Sequence, residues 1–225
     1  MIYNLIMDNM DRKFDTFIFD LDGTLLDTVP DLIALTNRIL NEFGFPERSR
    51  EDVISFVGGG LRRFLELALP SYATDSDVDR AIALWEEWFI DYYEHTDPYE
   101  GIPELLEALR ARGCKTAIFS NRDQEGVDLL IERSPIGGFD LMLGTSDEIP
   151  RKPDPAGVIA AIEVLGAPPE RAIYIGDTPG DIVAGNEAGC TTAAVLGGYH
   201  SKEELEQNGP DIVVTDPPQL LEYAD

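Results

Sequence analysis

Lysine is scarce in this chain. Lys13, Lys115, Lys152 and Lys202 are the only four among 225 residues. Basic side chains number 17 against 43 acidic ones, a formal net charge of −26 at pH 7. That balance excludes a partner bound through its phosphate backbone, since DNA- and RNA-binding proteins present clustered Lys and Arg. It also excludes docking on an anionic membrane. The acidity reads as a well-solvated surface, and a salt-rich habitat is one source of it. Cysteine is nearly absent. Cys114 and Cys190 lie far apart with no metal-ligand spacing, and each opens an apolar run. They are expected as buried free thiols, so nothing calls for an oxidising compartment. No run approaches the ~18 apolar residues of a membrane span. The start, MIYNLIMDNMDRK, lacks the basic opening and long apolar stretch of a signal peptide. It reads as a short extension, with Met7 and Met10 as alternative starts, on a cytoplasmic protein. Internal repeats and low-complexity tracts are also missing.

What is present is a substantial apolar content, 44% of residues, enough for a buried core. Short apolar runs bounded by turn residues read as buried strands: FDTFIF (14–19), KTAIFS (115–120), AIYIGD (172–177), TTAAVL (191–196) and DIVVTD (211–216), with FDLMLG (139–144) as a further candidate. Helical stretches lie between them: PELLEALRARG (103–113), DQEGVDLLIER (123–133), AGVIAAIEVLG (156–166) and GDIVAGNEAG (180–189). Gly113, Gly166 and Gly189 stand where helix C-caps fall. Such alternation predicts an α/β fold: a Rossmann-like parallel sheet flanked by helices. Residues 30–97 break the pattern. There DLIALTNRILNEFG, REDVISFVG, LRRFLELAL and DSDVDRAIALWEEWFIDYYEH carry helical periodicity with no strand between them. Trp85, Trp88, Phe89, Tyr92 and Tyr93 read as packing residues. The expected organisation is a core of residues 1–29 and 98–225 with an α-helical domain, 30–97, inserted after the first strand.

The stretch FIFDLDGTLLDT (17–28) concentrates the chemistry. A strand ends at Asp20, and ligands bind just beyond the carboxyl ends of parallel strands. Asp22 follows at once, with Gly23 allowing a tight turn before Thr24. Neighbouring carboxylates repel, so stability alone does not explain the pair. One carboxylate can attack as a nucleophile while the other moves protons, and a metal ion would relieve the repulsion. A helix or turn cap is the plainer alternative. Other strand ends point the same way. Ser120 and Asn121 close one, Lys152 sits before a helix start at Asp154-Pro155, and Asp177 and Asp181 occupy a strand tip and the following helix start. Each has a bland reading: a turn serine, a solvated lysine, a helix-start charge. Their order at consecutive strand ends argues against all being bland together. His95 and His200 stand apart from every motif and read as structural or surface residues.

These residues resemble the haloacid dehalogenase superfamily of aspartate-nucleophile phosphotransferases. DLDGT (20–24) is similar to its first motif, Ser120 to the second, Lys152 to the third and GDTPGD (176–181) to the fourth. The helical insertion resembles the family's C1-type cap. DLDGTLLDTVPDL (20–32) and FVGGGLRRFLELAL (56–69) look most like the phosphoglycolate phosphatase branch, although Arg122 stands where many of that branch have lysine and Pro179-Gly180 is untypical of its fourth motif. The resemblance implies that Asp20 attacks phosphorus to form an aspartyl-phosphate. Asp22 protonates the leaving oxygen and later deprotonates water. Mg²⁺ is held by Asp20, the backbone carbonyl of Asp22 and Asp177, with Asp181 orienting metal-bound water or Lys152. Thr24, Ser120 and Asn121 bind the phosphoryl group, and Lys152 neutralises it. Four carboxylates against Mg²⁺ and Lys152 leave one excess negative charge, which a proton on Asp22 removes.

The glycine-rich turn at Gly59 and the helix carrying Arg62 are candidate contacts for the substrate's other end, with a flexible turn as the alternative. The implied activity is hydrolysis of a small phosphorylated metabolite by a monomer or homodimer. A phosphosugar mutase resembling β-phosphoglucomutase is the alternative enzyme, disfavoured by Thr24 where those relatives usually carry valine. A dehalogenase would lack Asp22, and a phosphonatase would need a cap lysine that 30–97 does not contain. A catalytically silent binding protein on the same fold is the reading outside enzymology.

Overall fold

The computed structural model describes residues 14–89 and 96–224. The N-terminal extension with Met7 and Met10 lies outside the described residues, as do Tyr92, Tyr93 and His95. Chain contacts divide the molecule into a unit formed before Asp27 and after Asp97, and a second unit of Asp27–Asp97.

The first unit is built on β1 (Thr16–Phe19), whose four residues TFIF are all buried. It pairs in parallel on both sides: with β4 (Lys115–Asp123), Thr16 opposite Lys115, and with β6 (Ala172–Gly176), Thr16 opposite Ala172. A strand covered on both faces reads as a continuous apolar run, which is why period-two alternation is missing from it. β5 (Leu141–Thr145), β7 (Thr191–Val195) and β8 (Ile212–Val214) complete a six-stranded parallel sheet in the order β5-β4-β1-β6-β7-β8. The helices of this unit are α5 (Ile102–Ala111), α6 (Gln124–Arg133), α7 (Ala156–Leu165), α8 (Pro179–Glu187) and α9 (Lys202–Glu206). One core cluster joins Ile18, Phe119 and Tyr174 of the sheet to Val158 and Ile162 of α7. Cys114 and Cys190 are buried free thiols, and burial pushes Cys190 up to about 12.

Several strand boundaries differ from expectation: β5 begins at Leu141, β8 is trimmed to Ile212–Val214, and β1 and β4 differ as well. β1 begins two residues late, because Phe14 instead makes a lone bridge to Ala224. β4 runs past Ser120 to Asp123, with a register irregularity against β5 between Phe119 and Asp123. The irregularity spans Ser120, Asn121 and Arg122.

The second unit holds α1 (Val29–Phe43), α2 (Arg50–Phe56), α3 (Leu61–Ala68) and α4 (Asp75–Trp88). Capping boxes at Ser49 and Thr74 start α2 and α4, and Gly44 in the left-handed region ends α1. Leu35, Ile39, Val53, Leu65 and Trp85 form its core. Trp85, Trp88 and Phe89 pack as expected. The Trp85 ring lies 5.4 Å from Phe64 and 5.9 Å from Phe89, and the Arg38 guanidinium sits 4.0 Å over Trp88. The joining segments, β2 (Leu26–Asp27) and β3 (Asp97–Pro98), pair as a two-stranded sheet too short to leave a sequence pattern. Among the described residues no helix is long and apolar enough to cross a membrane.

Candidate active site

Asp20 is the first residue beyond β1. Its backbone N–H donates to the Ile175 carbonyl at 2.8 Å, which extends the sheet pairing by one bond and fixes the carboxylate at the strand tip. The chain then turns through Gly23, at φ 85°. A Cβ there would stand 2.3 Å from an Asp177 oxygen, so glycine is needed for space as well as conformation. Thr24 Oγ1 donates to Asp177 Oδ1 at 3.0 Å, and the Tyr199 backbone N–H donates to Asp177 Oδ2 at 2.7 Å.

Lys152 is buried among the acids. Its Nζ lies 2.5 Å from Asp20 Oδ1, 2.7 Å from Asp181 Oδ1 and 3.4 Å from the Phe119 carbonyl. Asp181 is the third residue of α8. Thr178 caps that helix and donates from both its backbone N–H and its hydroxyl to Asp181 Oδ2, at 3.0 and 2.6 Å. The Tyr174 hydroxyl stands between Asp181 Oδ1 and the Phe119 carbonyl, at 3.1 and 3.2 Å. The Lys152 loop is itself held: its backbone N–H donates to Asn121 Oδ1 at 2.8 Å. Ser120 is buried and its Oγ accepts from the Arg122 backbone N–H at 3.1 Å.

One oxygen each from Asp20, Asp177 and Asp181 lies within 4.8 Å of the others, and all three residues are buried. Burial raises the Asp20 carboxyl well above the usual range, Lys152 opposes this, and Asp181, Asp177 and Asp22 add to it. Burial, reinforced by Asp181, pushes Asp177 up to about 7. Burial would lower Lys152, but Asp181 and Asp20 outweigh it and hold the ammonium well above its ordinary value. Three buried carboxylates around one ammonium fit a small hard cation with oxygen ligands.

Asp22 stands apart from this cluster. Its carboxylate takes a two-pronged bond from Arg122: Nε to Oδ2 at 2.7 Å and a terminal nitrogen to Oδ1 at 2.6 Å. Asp22 therefore has a side-chain partner of opposite charge. Arg122 follows directly after Ser120-Asn121, where the sequence marked it only as a departure. Tyr174 was also missed, because a tyrosine inside an apolar strand reads as core. Gly59 and Arg62 belong to the helical unit. There Arg62 donates to Asp79 Oδ1 at 2.6 Å, both side chains being exposed, and a Cβ at Gly59 would stand 2.7 Å from the Arg63 side chain.

The family model for haloacid dehalogenase-like hydrolases matches residues 17–195. The phosphoglycolate phosphatase of Aquifex aeolicus is 34% identical over 210 residues, covering 92% of this chain and 95% of that protein. The N-acetylmuramic acid 6-phosphate phosphatase of Pseudomonas aeruginosa is 34% identical over 219 residues, covering 95% and 96%. The crystal structure of a predicted phosphoglycolate phosphatase from Haemophilus somnus 129PT superposes with a TM-score of 0.87 at 26% identity, covering 93% of this chain and 97% of that one. The chain belongs to the haloacid dehalogenase-like hydrolases. It is a phosphatase of that family, resembling the phosphoglycolate phosphatase branch.

Proposed function

We propose that this protein is a Mg²⁺-dependent phosphatase that hydrolyses a small phosphorylated acid through an aspartyl-phosphate on Asp20. The observation that carries the reading is the buried cluster of Asp20, Lys152, Asp181 and Asp177. In the first step an Asp20 oxygen forms a bond to phosphorus while the bond to the leaving oxygen breaks. The electron pair goes to that oxygen, which takes a proton from Asp22. In the second step water attacks the phosphoryl group and gives a proton to Asp22. The phosphorus bond to Asp20 then breaks, returning its carboxylate and releasing phosphate. Lys152 offsets charge on Asp20 and the phosphoryl oxygens, while Thr24, Ser120 and Asn121 would bind the transferring group. Asn121 also holds the Lys152 loop through its side-chain oxygen. Asp20 and Asp177, with Asp181 and the Asp22 carbonyl, would hold Mg²⁺. When bound, Mg²⁺ supplies positive charge that stabilises the transferring group. The helical unit takes the role of the family's cap, with Gly59 and Arg62 as its candidate substrate contacts.

Phosphate release from 2-phosphoglycolate, N-acetylmuramic acid 6-phosphate, neutral sugar phosphates and nucleotides, with Mg²⁺ or chelator, tests the reading. Metal-dependent preference for the two phosphorylated acids supports it. Preference for a neutral sugar phosphate removes the substrate class and keeps the phosphatase. The names of the similar proteins support the class, since glycolate and muramic acid both carry a carboxyl group.

A further inference from the structure

We propose that Arg122 is a positioning residue that aims the Asp22 carboxyl at the leaving oxygen, an inference resting on the proton role given to Asp22 above. The pair spans 100 positions in sequence and joins the loop after β1 to the end of β4. Its fork uses both oxygens of the carboxylate, which fixes the carboxylate plane as well as its position. A single-point partner such as lysine fixes position alone. Both side chains are about one-seventh exposed, at 15% each, so the pair lies at the rim of the site rather than in its buried floor.

The root of Arg122 is held as firmly as its head. Its backbone N–H donates to Ser120 Oγ at 3.1 Å, and its carbonyl accepts from Thr145 Oγ1 at 3.1 Å. Three neighbours at the end of β4, where its register against β5 is irregular, have three uses. Ser120 binds the Arg122 backbone, Asn121 holds the Lys152 loop, and Arg122 holds Asp22. Arg122 bonds both Asp22 oxygens and so sets where that carboxyl group lies. It touches neither phosphorus nor nucleophile in this account and acts only through Asp22.

The test compares kcat/KM for 4-nitrophenyl phosphate and phenyl phosphate, uncharged aryl groups of similar shape. Phenol is the poorer leaving group and needs the acid more. Through kcat/KM the comparison reports the step that expels the alcohol, apart from hydrolysis of the phosphoenzyme that both substrates share. Arg122→Ala and Arg122→Lys are measured beside Asp22→Asn, with thermal unfolding recorded for each. The expected result is a loss on phenyl phosphate at least tenfold larger than on 4-nitrophenyl phosphate for Arg122→Ala, and a smaller gap for Arg122→Lys. Equal losses on the two esters, or none, overturn the proposal, and Arg122→Lys decides if the alanine variant does not fold. If Asp22→Asn also loses equally on both, the proton role of Asp22 fails with it. If Asp22→Asn is selective and the Arg122 variants are not, only the positioning role falls.

Discussion

Asp177 places a pH signature on the metal-free protein. Its carboxyl titrates at about 7 in the fold, against an ordinary value near 4 for the unfolded chain. The folded state therefore holds a proton that the unfolded state has released between those limits. Stability from this group is complete below pH ~4, declines as pH rises, and is lost above about 7. Metal-free protein should show a falling Tm from pH 5 to pH 8, and added Mg²⁺ should recover more of it at pH 8 than at pH 5. Calorimetry near pH 6 should register proton release on Mg²⁺ binding, and little at pH 9. A Tm that rises over the same range without metal would contradict this. At the same scale, Asp20→Asn removes the oxygen proposed to attack phosphorus from a buried, electrostatically crowded cluster. It should keep its fold by circular dichroism and lose turnover by on the order of 10⁴ or more.

Among the elements, α7 and α8 show how closely the site depends on packing. Gly157 of α7 faces Phe119, and a Cβ there would stand 2.1 Å from the ring. Phe119 supplies the carbonyl against which Lys152 and Tyr174 rest. Gly157→Ala should cost about 1–3 kcal/mol by overpacking, read as a lower urea midpoint with an unchanged slope. Thr178→Ala should cost about 1 kcal/mol through the lost α8 cap. It should also lower activity, because the same hydroxyl donates to Asp181. Full activity in that variant would mean the hydroxyl serves the helix alone. The elements themselves were largely legible. Buried strands such as AIYIG and C-caps such as Gly166 leave local patterns that a sequence carries openly. The extension of β4 past Ser120 was not legible, because it depends on β5 lying beside it. The two-residue strands at 26–27 and 97–98 are too short for any period to register. The same distinction governs the site. Asp20, Asp177 and Asp181 stood out in the sequence because each follows a recognisable strand or opens a helix, and Lys152 because it precedes a helix start. The Arg122–Asp22 fork was missed because its partners lie far apart in sequence and meet only through the β1–β4 pairing.

For the whole molecule, the net charge of −26 is the dominant feature. Self-repulsion at that charge destabilises a compact state, and salt screens it over a Debye length of ~10 Å at 0.1 M. Exposed ion pairs among the described residues, such as Arg62–Asp79 and Arg80–Glu42, are worth little in exchange. Raising NaCl from low to high concentration should increase Tm at pH 8, and a fall would show that screened ion pairs outweigh repulsion. The same acidity makes the buried site's cations matter, since Lys152 and Arg122 are the basic side chains bonded to its acids among the described interactions. The central claim is that Asp20 carries the phosphoryl group. Turnover quenched with borohydride tests it most directly, because reduction converts an aspartyl-phosphate into homoserine at the position that held it. Mass spectrometry should place homoserine at residue 20, only when substrate and Mg²⁺ are both present, and never at residue 22. Sustained turnover with residue 20 unchanged would contradict the account.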